Sequence, residues 1–485
     1  MRGNGRLLRL GTALALAAGT VVWAVAAVTT TAQAATNGFR GVNWADERDN
    51  FVDDTLVLGG LSTSDSYATT QAKADRILSS FQANLGANTV RLPVNHPTVS
   101  GAYWNSYTGA IDMATAKGMK VILSYWEADS SRDGLVDDTT QFWAMWQKIV
   151  ARYGGNSLVH FEPMNEPHGY SDANWKNLAA QWLGNYPSVP RGRVIISGAG
   201  YNQRLATIGS DSRFDGTLIS FHTYRFFNNS LTSELQWRQN LRDSVGGYAG
   251  RVLITEWGAP MTDGRDYDHP SLGDPFVAFV RGVAAEARAL GLGTVYWPGV
   301  RVNDWYRLQE INGSGTNLTL STTSASGRDQ LRYSWGVSDG LPPTPASVYH
   351  RVVNRNSGRV MDVIAASTAS NAEVKQYAWN GGENQQWYFE DAGGGYFRLV
   401  NVNSGMCLDV AGGSSADGAN VIQYTCGTAA NQQWQWRATG GYYQLVARHS
   451  GKCLDVAGSG TGDGADIQQY ACNSGANQQW SRVQS

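Results

Sequence analysis

The sequence predicts a (β/α)8 barrel followed by a domain of three similar β units. Nearly continuous apolar runs alternate with helix-like segments, and eight such pairs occupy roughly 260 residues, as in a barrel of this type. A tryptophan motif then recurs three times in the last part of the chain, which predicts the β units. A doubly wound open sheet is the rival to the barrel, but it should carry a Gly-rich phosphate turn after an early strand, and the sequence has none.

The first residues have the composition of an export signal. Arg2, Arg6 and Arg9 form a basic start, residues 10–28 are apolar, and Ala32-Gln33-Ala34 offers a cleavage site between small residues. This pattern predicts a signal peptide over residues 1–34 and therefore a secreted, extracellular protein. A membrane anchor is the alternative, because the apolar run is nearly long enough to span a bilayer.

The barrel is predicted over residues 36–337. Its apolar runs consist of β-rich residues without polar alternation, as expected for strands that are buried on both faces. The eight predicted strands are Gly38–Asn43, Thr89–Leu92, Lys120–Tyr125, Leu158–Glu162, Arg193–Ser197, Leu218–His222, Arg251–Thr255 and Gly293–Trp297. The clearest helical segments between them are Thr70–Leu85, Thr139–Tyr153 and Asp274–Leu290. A proline-rich linker, SDGLPPTPA, follows at residues 338–346, and the repeat domain is predicted over residues 347–485.

Composition excludes several classes of partner. The formal net charge is -2 and no Lys/Arg cluster occurs, so nucleic acids and membrane surfaces are poor partner hypotheses. The 18 Trp and 22 Tyr residues suit sugar binding through flat aromatic faces, although large proteins also place such rings in their cores. No HExxH helix or paired histidines are present, so we expect no metal and no cofactor. We expect a monomer.

The four cysteines lie late in the chain. Cys407 and Cys426 are separated by 19 positions, and so are Cys453 and Cys472. A repeated separation in an exported chain predicts two short-loop disulfides. A zinc site is the alternative, but the sequence has no CxxC pair.

Two glutamates follow predicted strands on opposite sides of the barrel. Glu166 comes just after strand 4, and Glu256 comes at the end of strand 7. Barrel enzymes act at the carboxyl ends of their strands. Cleavage of a glycoside with retention needs one carboxylic acid and one carboxylate, about 5–5.5 Å apart, with different pKa values. A rim salt bridge is the alternative for either glutamate taken alone.

Polar side chains at other strand ends strengthen this hypothesis. Arg91 lies inside an apolar strand and needs an anionic partner, so it either holds Glu256 ionised or belongs to an ion pair that fills the barrel. His222 and Tyr224 alternate along strand 6 and therefore point to the same side. Trp297 ends strand 8 and offers a sugar platform, with a core position as the alternative.

This arrangement resembles glycoside hydrolase family 5, a family of retaining glycosidases, over most of the chain from Thr36 to Trp335. The motifs that carry the resemblance are Arg91 in RLP, Asn165-Glu166-Pro167, the pair His222 and Tyr224, Glu256 in TEWG, and Trp297.

The resemblance assigns a role to each of these residues. It implies that Glu166 is the acid/base and Glu256 the nucleophile. Asn165 would hydrogen-bond the sugar 2-hydroxyl. Tyr224 and Arg91 would orient Glu256, and His222 would contact the −1 sugar or the acid/base.

One departure from the family pattern bears on the substrate. Cellulase-like members place a histidine after strand 3, whereas this strand ends in Ser124-Tyr125-Trp126-Glu127. Further candidates for the sugar pocket are therefore Asn43, Trp44, Trp126 and Glu127. The resemblance admits β-glucans, β-mannans, xylans and less common furanosides, and the missing histidine argues against cellulose; we expect a plant or microbial polysaccharide that contains galactose or arabinose, including galactofuranosides or arabinofuranosides, cleaved in exo mode. The alternatives are an endo-β-1,4-glucanase, a β-mannanase, a transglycosylase and a lectin-like binding protein.

The repeats after the linker resemble a ricin-type β-trefoil lectin, or carbohydrate-binding module family 13. The motif NQQW recurs with its tryptophans 47 and 46 positions apart, and an aspartate followed by valine recurs in register. The resemblance implies an Asp, an aromatic and an Asn in each sugar site. These are Asp362, Tyr377 and Asn384; Asp409, Tyr424 and Asn431; and Asp455, Tyr470 and Asn477. The first repeat departs from the pattern, since Val360 and Trp379 occupy its cysteine positions.

Overall fold

The structure is a computed structural model that describes residues 36–268, 274–337 and 349–484. The predicted signal peptide and the predicted linker lie outside the described residues. The part of the chain that the structure describes contains no helix long and apolar enough to cross a membrane.

Eight parallel strands form the predicted barrel. They are β1 (Arg40–Trp44), β2 (Thr89–Val94), β3 (Lys120–Tyr125), β4 (Val159–Glu162), β5 (Ile195–Ser197), β6 (Leu218–Thr223), β7 (Val252–Trp257) and β8 (Gly293–Val300). Their order is β4-β3-β2-β1-β8-β7-β6-β5. A parallel bridge between Phe161 of β4 and Val194, just before β5, joins the two ends of the sheet. The barrel prediction is therefore confirmed, and all the carboxyl ends of the strands open on one face.

Helices follow the strands around the barrel. They are α1 (Tyr67–Ser80), α2 (His96–Ser100), α3 (Trp104–Ala116), α4 (Thr139–Tyr153), α5 (Asp172–Asn185), α6 (Ala199–Asn202), α7 (Leu205–Gly209), α8 (Glu234–Val245), α9 (Pro275–Leu290) and α10 (Ala325–Ser334). The predicted helix Thr70–Leu85 is α1 continued by a π-helical turn over Phe81–Leu85.

Local signals explain why α9 begins and ends where it does. Asp274 caps its first turn by accepting hydrogen bonds from the backbone N–H groups of Phe276 and Val277, and Pro275 stands at the first helical position. Gly291 ends the helix in the left-handed conformation that glycine tolerates best. These signals fix the two ends of the long apolar helix, which packs between α8 and α10.

A hairpin that the sequence did not predict follows the last barrel strand. It consists of β9 (Gln309–Asn312) and β10 (Thr319–Thr322), and β9 pairs with β8 at Val300. The hairpin strands alternate weakly in polarity and are half exposed, so periodicity does not distinguish them from a loop.

Three β units follow as one sheet system. Their strands are β11 (His350–Asn354), β12 (Val360–Val363), β13 (Val374–Tyr377), β14 (Trp387–Gly393), β15 (Tyr396–Asn401), β16 (Cys407–Val410), β17 (Ala419–Tyr424), β18 (Trp434–Thr439), β19 (Tyr442–Ala447), β20 (Cys453–Val456), β21 (Ala465–Tyr470) and β22 (Trp480–Gln484). The repeated tryptophans Trp387, Trp434 and Trp480 are fully buried in one shared core, which is separate from the barrel core.

Both predicted disulfides form. Cys407 is bonded to Cys426, and Cys453 is bonded to Cys472. Disulfides of this kind are typical of proteins in an oxidising compartment, in keeping with the expected extracellular location.

Candidate active site

Arg91 lies at the centre of a buried polar network inside the barrel. Its guanidinium donates from Nε to Glu162 Oε2 at 2.6 Å and from Nη1 to Glu256 Oε1 at 2.5 Å. Nη2 donates to Asn165 Oδ1 at 2.8 Å and to Ser124 Oγ at 3.1 Å. Arg91 therefore makes both of the contacts considered for it: it contacts Glu256, and it also forms a barrel-filling ion pair with Glu162. Sequence analysis did not single out Glu162, because a single charged residue at the end of a strand carries no pattern of its own.

Glu256 is held through both carboxylate oxygens. Arg91 contacts Oε1, and the Tyr224 hydroxyl donates to Oε2 at 3.0 Å. Nδ1 of His222 lies 3.5 Å from the same Oε2. Burial raises the pKa of Glu256 above its ordinary value, while the nearby His222 and Arg91 act in the opposite direction. The carboxylate therefore has a fixed orientation at the carboxyl end of β7.

Glu166 has a different environment. Its backbone adopts φ of +43°, which is uncommon for a residue with a side chain and occurs in tight functional turns. The carboxyl group accepts a contact from His222 Nδ1 at 2.8 Å and remains 18% exposed toward the cleft. Burial raises the pKa of Glu166 to about 7, so its proton is retained at near-neutral pH.

The two glutamates face each other closely. An oxygen of Glu166, an oxygen of Glu256 and a ring nitrogen of His222 all lie within 4.8 Å of one another. The carboxylate spacing of retaining glycosidases is about 5–5.5 Å. Within the described ranges these three side chains are also the one group able to surround a metal ion, but Arg91 and Tyr224 already occupy the Glu256 oxygens.

His222 is fully buried between the two glutamates and Asn202, a residue that sequence analysis missed. Burial lowers its pKa to about 4, so the imidazole is neutral at neutral pH. Its second ring nitrogen, Nε2, lies 3.1 Å from the side-chain amide of Asn202. Asn202 follows β5, whereas His222 lies in β6, and no local sequence pattern predicts this contact.

A cleft of about 380 Å³ opens above the two glutamates. Trp126 and Trp297 stack on one side of it, with ring centroids 5.5 Å apart and planes at 21°. The cleft is lined by Asp49, Phe51, Trp126, Arg132, Glu166, Tyr201, Tyr224, Phe226, Phe227, Glu256, Trp297 and Tyr306. This volume lies in the range of small-ligand pockets, and the aromatic lining suits sugar rings.

Comparison with protein families agrees with this geometry. Residues 49–298 match the family model of the cellulases, glycosyl hydrolase family 5. The chain belongs to glycosyl hydrolase family 5. Residues 334–424 and 430–485 match the model of a ricin-type beta-trefoil lectin domain. The family 5 enzyme is therefore a glycosidase that acts on a polysaccharide and carries a carbohydrate-binding β-trefoil.

Solved structures match parts of the family 5 enzyme. A designed 3-fold symmetric protein, ThreeFoil, is 51% identical, with 28% of this chain and 99% of that chain covered and a TM-score of 0.28. An exo-beta-1,3-galactanase from Clostridium thermocellum is 38% identical, with 36% of this chain and 37% of that chain covered and a TM-score of 0.29. A ricin B-like lectin from Macrolepiota procera, in complex with lactose, is 23% identical, with 28% of this chain and 95% of that chain covered and a TM-score of 0.25. No curated protein matched the chain.

Three other sugar-pocket candidates of the family 5 enzyme make contacts within the protein. The Asn43 amide donates to the backbone carbonyls of Thr255 and Tyr296 and accepts from Arg91, so it supports the guanidinium. Trp44 lies fully buried in the barrel core, which corrects the expectation that it contacts a sugar. Glu127 accepts hydrogen bonds from the backbone N–H groups of Asp133 and Gly134 and so stabilises the loop after β3.

The three expected lectin sites of the family 5 enzyme share one arrangement. In each repeat the aspartate is buried, whereas the tyrosines Tyr377, Tyr424 and Tyr470 are 37%, 43% and 42% exposed. Asn431 donates to both oxygens of Asp409, and Asn477 donates to Asp455 at 2.8 Å. In the first repeat Asn384 donates to the Val363 carbonyl at 3.0 Å, and the Gln385 amide donates to the Asp362 carboxylate. The nine lectin residues remain a prediction.

Proposed function

We propose that this family 5 enzyme is an exo-acting, retaining glycosidase. It removes terminal galactosyl or arabinosyl units, including furanosyl units, from a plant or microbial heteroglycan. The observation that carries the proposal is the pair Glu166 and Glu256, whose oxygens lie within 4.8 Å of each other in unlike surroundings. Glu166 is the acid/base and Glu256 is the nucleophile.

In the first step a Glu256 oxygen attacks the anomeric carbon of the terminal sugar. The bond from that carbon to the leaving oxygen breaks as Glu166 transfers its proton to this oxygen, and a glycosyl ester of Glu256 forms. The raised pKa of about 7 supports Glu166 as the acid, because its proton is present when the substrate binds. Arg91 and Tyr224, which contact separate oxygens of Glu256, orient the attacking group.

In the second step Glu166 acts as the base. It takes a proton from water, the water oxygen attacks the anomeric carbon, and Glu256 leaves as a carboxylate. The sugar is released with its original anomeric configuration, and Glu166 is again protonated for the next cycle.

Asn165 is the proposed partner of the sugar 2-hydroxyl. Its Oδ1 accepts from Arg91, so the amide Nδ2 points away from the guanidinium. Among the described residues, no group hydrogen-bonds this buried Nδ2. An unpaired buried donor is costly, and a sugar hydroxyl would satisfy it.

Ion-paired loops on one side of the cleft support exo cleavage. Arg132 lies over the Phe51 ring at 4.1 Å and 3.7 Å from Asp49. Asp49 also pairs with Arg301 at 2.9 Å, so loops after β1, β3 and β8 are joined. Phe51 packs edge-on against Trp126. We call Asp49, Phe51, Arg132 and Arg301 the cleft wall; a wall of joined loops on one side of the cleft would block a continuous chain and admit a chain end.

Two exposed aromatic rings in the cleft lining suit the remainder of the glycan. Tyr201 and Phe226 are 45% and 56% exposed there. Tyr201 stacks on His168, whose backbone N–H donates to the Glu166 carbonyl at 2.6 Å. The leaving sugar must lie on the side of the acid/base, so exposed rings beside Glu166 support binding of the leaving part there.

A panel of sugar substrates tests the proposed sugar identity first. The mature protein would be incubated with aryl furanosides and pyranosides of galactose and arabinose, and with β-glucan, mannan and xylan. We expect monosaccharide from a galactosyl or arabinosyl substrate. Oligosaccharides from glucan or mannan would instead indicate an endo-glycanase, and transfer products at high acceptor concentration would indicate a transglycosylase. Glycan binding without release would indicate a lectin-like protein.

Substitution of the nucleophile tests the mechanism. Glu256→Gln removes the attacking anion but keeps the size of the side chain, so we expect turnover to fall by about 10⁴-fold or more. Glycan binding should persist, because the trefoil also binds. The control is Glu310→Gln, which changes an exposed glutamate on the β9–β10 hairpin. Turnover by Glu256→Gln within tenfold of the unsubstituted enzyme would contradict the assignment.

A further inference from the structure

Asn202 occupies an unusual position next to the acid/base network. It is fully buried at the end of α6 and adopts a left-handed φ of +54°, which asparagine tolerates better than most residues. Its side chain points into the barrel, whereas its neighbour Tyr201 is exposed in the cleft. The backbone turn therefore sends two successive side chains to opposite sides.

The Asn202 amide contacts two residues of β6, and one of these contacts β7. Its Nδ2 donates to Ser220 Oγ at 2.7 Å and lies 3.1 Å from His222 Nε2. Ser220 Oγ in turn contacts the hydroxyl of Thr255, the residue before Glu256. With the amide nitrogen toward Nε2 and Oδ1 buried without a hydrogen-bond partner among the described residues, this arrangement favours a lone pair on Nε2, which places the single proton of the neutral ring on Nδ1.

We propose that Asn202 is a positioning residue that selects the Nδ1-protonated form of His222 and thereby presents an N–H donor to the two catalytic glutamates. This inference rests on the proposed roles of Glu166 and Glu256. Nδ1 lies 2.8 Å from Glu166 Oε1 and 3.5 Å from Glu256 Oε2.

The position of this proton matters most when Glu166 gives up its own. As the proton moves to the leaving oxygen, Glu166 becomes a carboxylate, and the His222 N–H stabilises the developing charge. With the proton on Nε2, the Nδ1 lone pair would face that carboxylate and repel it. Asn202 therefore assists the acid step without contact with the substrate.

The first test determines which nitrogen of His222 carries the proton. Histidine labelled with ¹⁵N distinguishes a protonated from an unprotonated ring nitrogen by its chemical shift, and the His222→Gln variant assigns the signal. We expect a protonated Nδ1 and an unprotonated Nε2 in the full-length enzyme. A protonated Nε2 with a bare Nδ1 would overturn the proposal.

The second test uses Asn202→Gly, which removes the amide while keeping a residue suited to the left-handed backbone. Its kcat/KM is compared on a phenyl glycoside, whose leaving group needs a proton, and on the matching 2,4-dinitrophenyl glycoside, whose leaving group does not. The sugar is the one that the substrate panel identifies. We expect a loss of about tenfold or more on the phenyl substrate and a much smaller loss on the other.

The control variant is Asn303→Gly, which changes an exposed asparagine with a left-handed φ of +60° in the loop after β8. It should leave both rates unchanged. Equal losses on the two substrates in Asn202→Gly would refute the positioning role, since general misfolding lowers both rates alike. Failure of the proposed function can be told apart from failure of the positioning role, because Glu256→Gln would then remain active.

Discussion

At the scale of single residues, the active site shows how one side-chain type serves two purposes. Glu256 is buried and has Arg91 and Tyr224 on its two oxygens, whereas Glu166 is half-buried and has one neutral His222 contact and access to the cleft. Neutral and cationic neighbours stabilise ionised carboxylates to different degrees. The environment, not the residue type, therefore separates the proposed acid from the proposed nucleophile.

This difference predicts the pH dependence of the enzyme. Glu166 must be protonated when substrate binds, and its pKa is about 7, so kcat/KM should fall as pH rises above about 7. The acidic limb should follow Glu256, which must be ionised. The measurement is kcat/KM against pH on an aryl glycoside. In Glu166→Gln the alkaline limb should disappear along with most activity toward phenyl leaving groups; an unchanged alkaline limb would contradict the assignment.

At the scale of elements, strands hold the side chains of the candidate site, and loops form the cleft around them. Arg91, His222 and Glu256 lie within β2, β6 and β7, so their positions follow from the sheet register. The cleft wall, in contrast, comes from the loops after β1, β3 and β8. Loops at the carboxyl ends of barrel strands vary without disturbing the barrel, which allows them to set specificity.

Opening the cleft wall should change the products. Arg132→Ala removes the contacts with Phe51 and Asp49, so we expect oligosaccharides to appear besides monosaccharide during digestion of a polymer. Chromatography of the products from a polymer with blocked chain ends measures this change. Asp129→Asn is the matched control, because it weakens a second ion pair of Arg132 and leaves Asp49 in place. Identical products from Arg132→Ala and the unsubstituted enzyme would argue against a wall that limits cleavage to chain ends.

At the scale of the whole molecule, catalysis and glycan binding belong to two separate hydrophobic cores. The barrel core and the trefoil core share no residues, and two disulfides stabilise the second. The three predicted sugar sites on one chain would raise the apparent affinity for a polymer, which offers several binding points at once. The trefoil should therefore matter for polymers and not for small substrates.

A variant with all three exposed trefoil tyrosines changed to alanine tests this expectation. Tyr377, Tyr424 and Tyr470 project from the surface, so their loss should leave the trefoil folded. We expect binding to insoluble polysaccharide to fall by about tenfold or more, with kcat/KM on aryl glycosides unchanged. Pull-down with the polymer and aryl glycoside kinetics provide the two measurements. Equal losses in both would refute independent domains.

The sequence by itself determined the architecture and the two central glutamates. Strands buried on both faces produce long apolar runs, so the eight strands and the polar residues that end them were visible without a structure. Glu166, Glu256, Arg91, His222 and Tyr224 stand in those positions, and the structure brings them together. Repetition along the chain likewise predicted the three β units and both disulfides.

Only the tertiary structure decided which groups pair with these residues. Glu162 and Asn202 lie 71 and 20 positions from their partners Arg91 and His222, and the cleft wall joins Asp49 to Arg301 across 252 positions. Such contacts depend on strand order and on where each loop turns, which leave no local pattern in the sequence. The physical reason is that periodicity records whether a side chain is buried, whereas its partner is fixed only when the barrel closes.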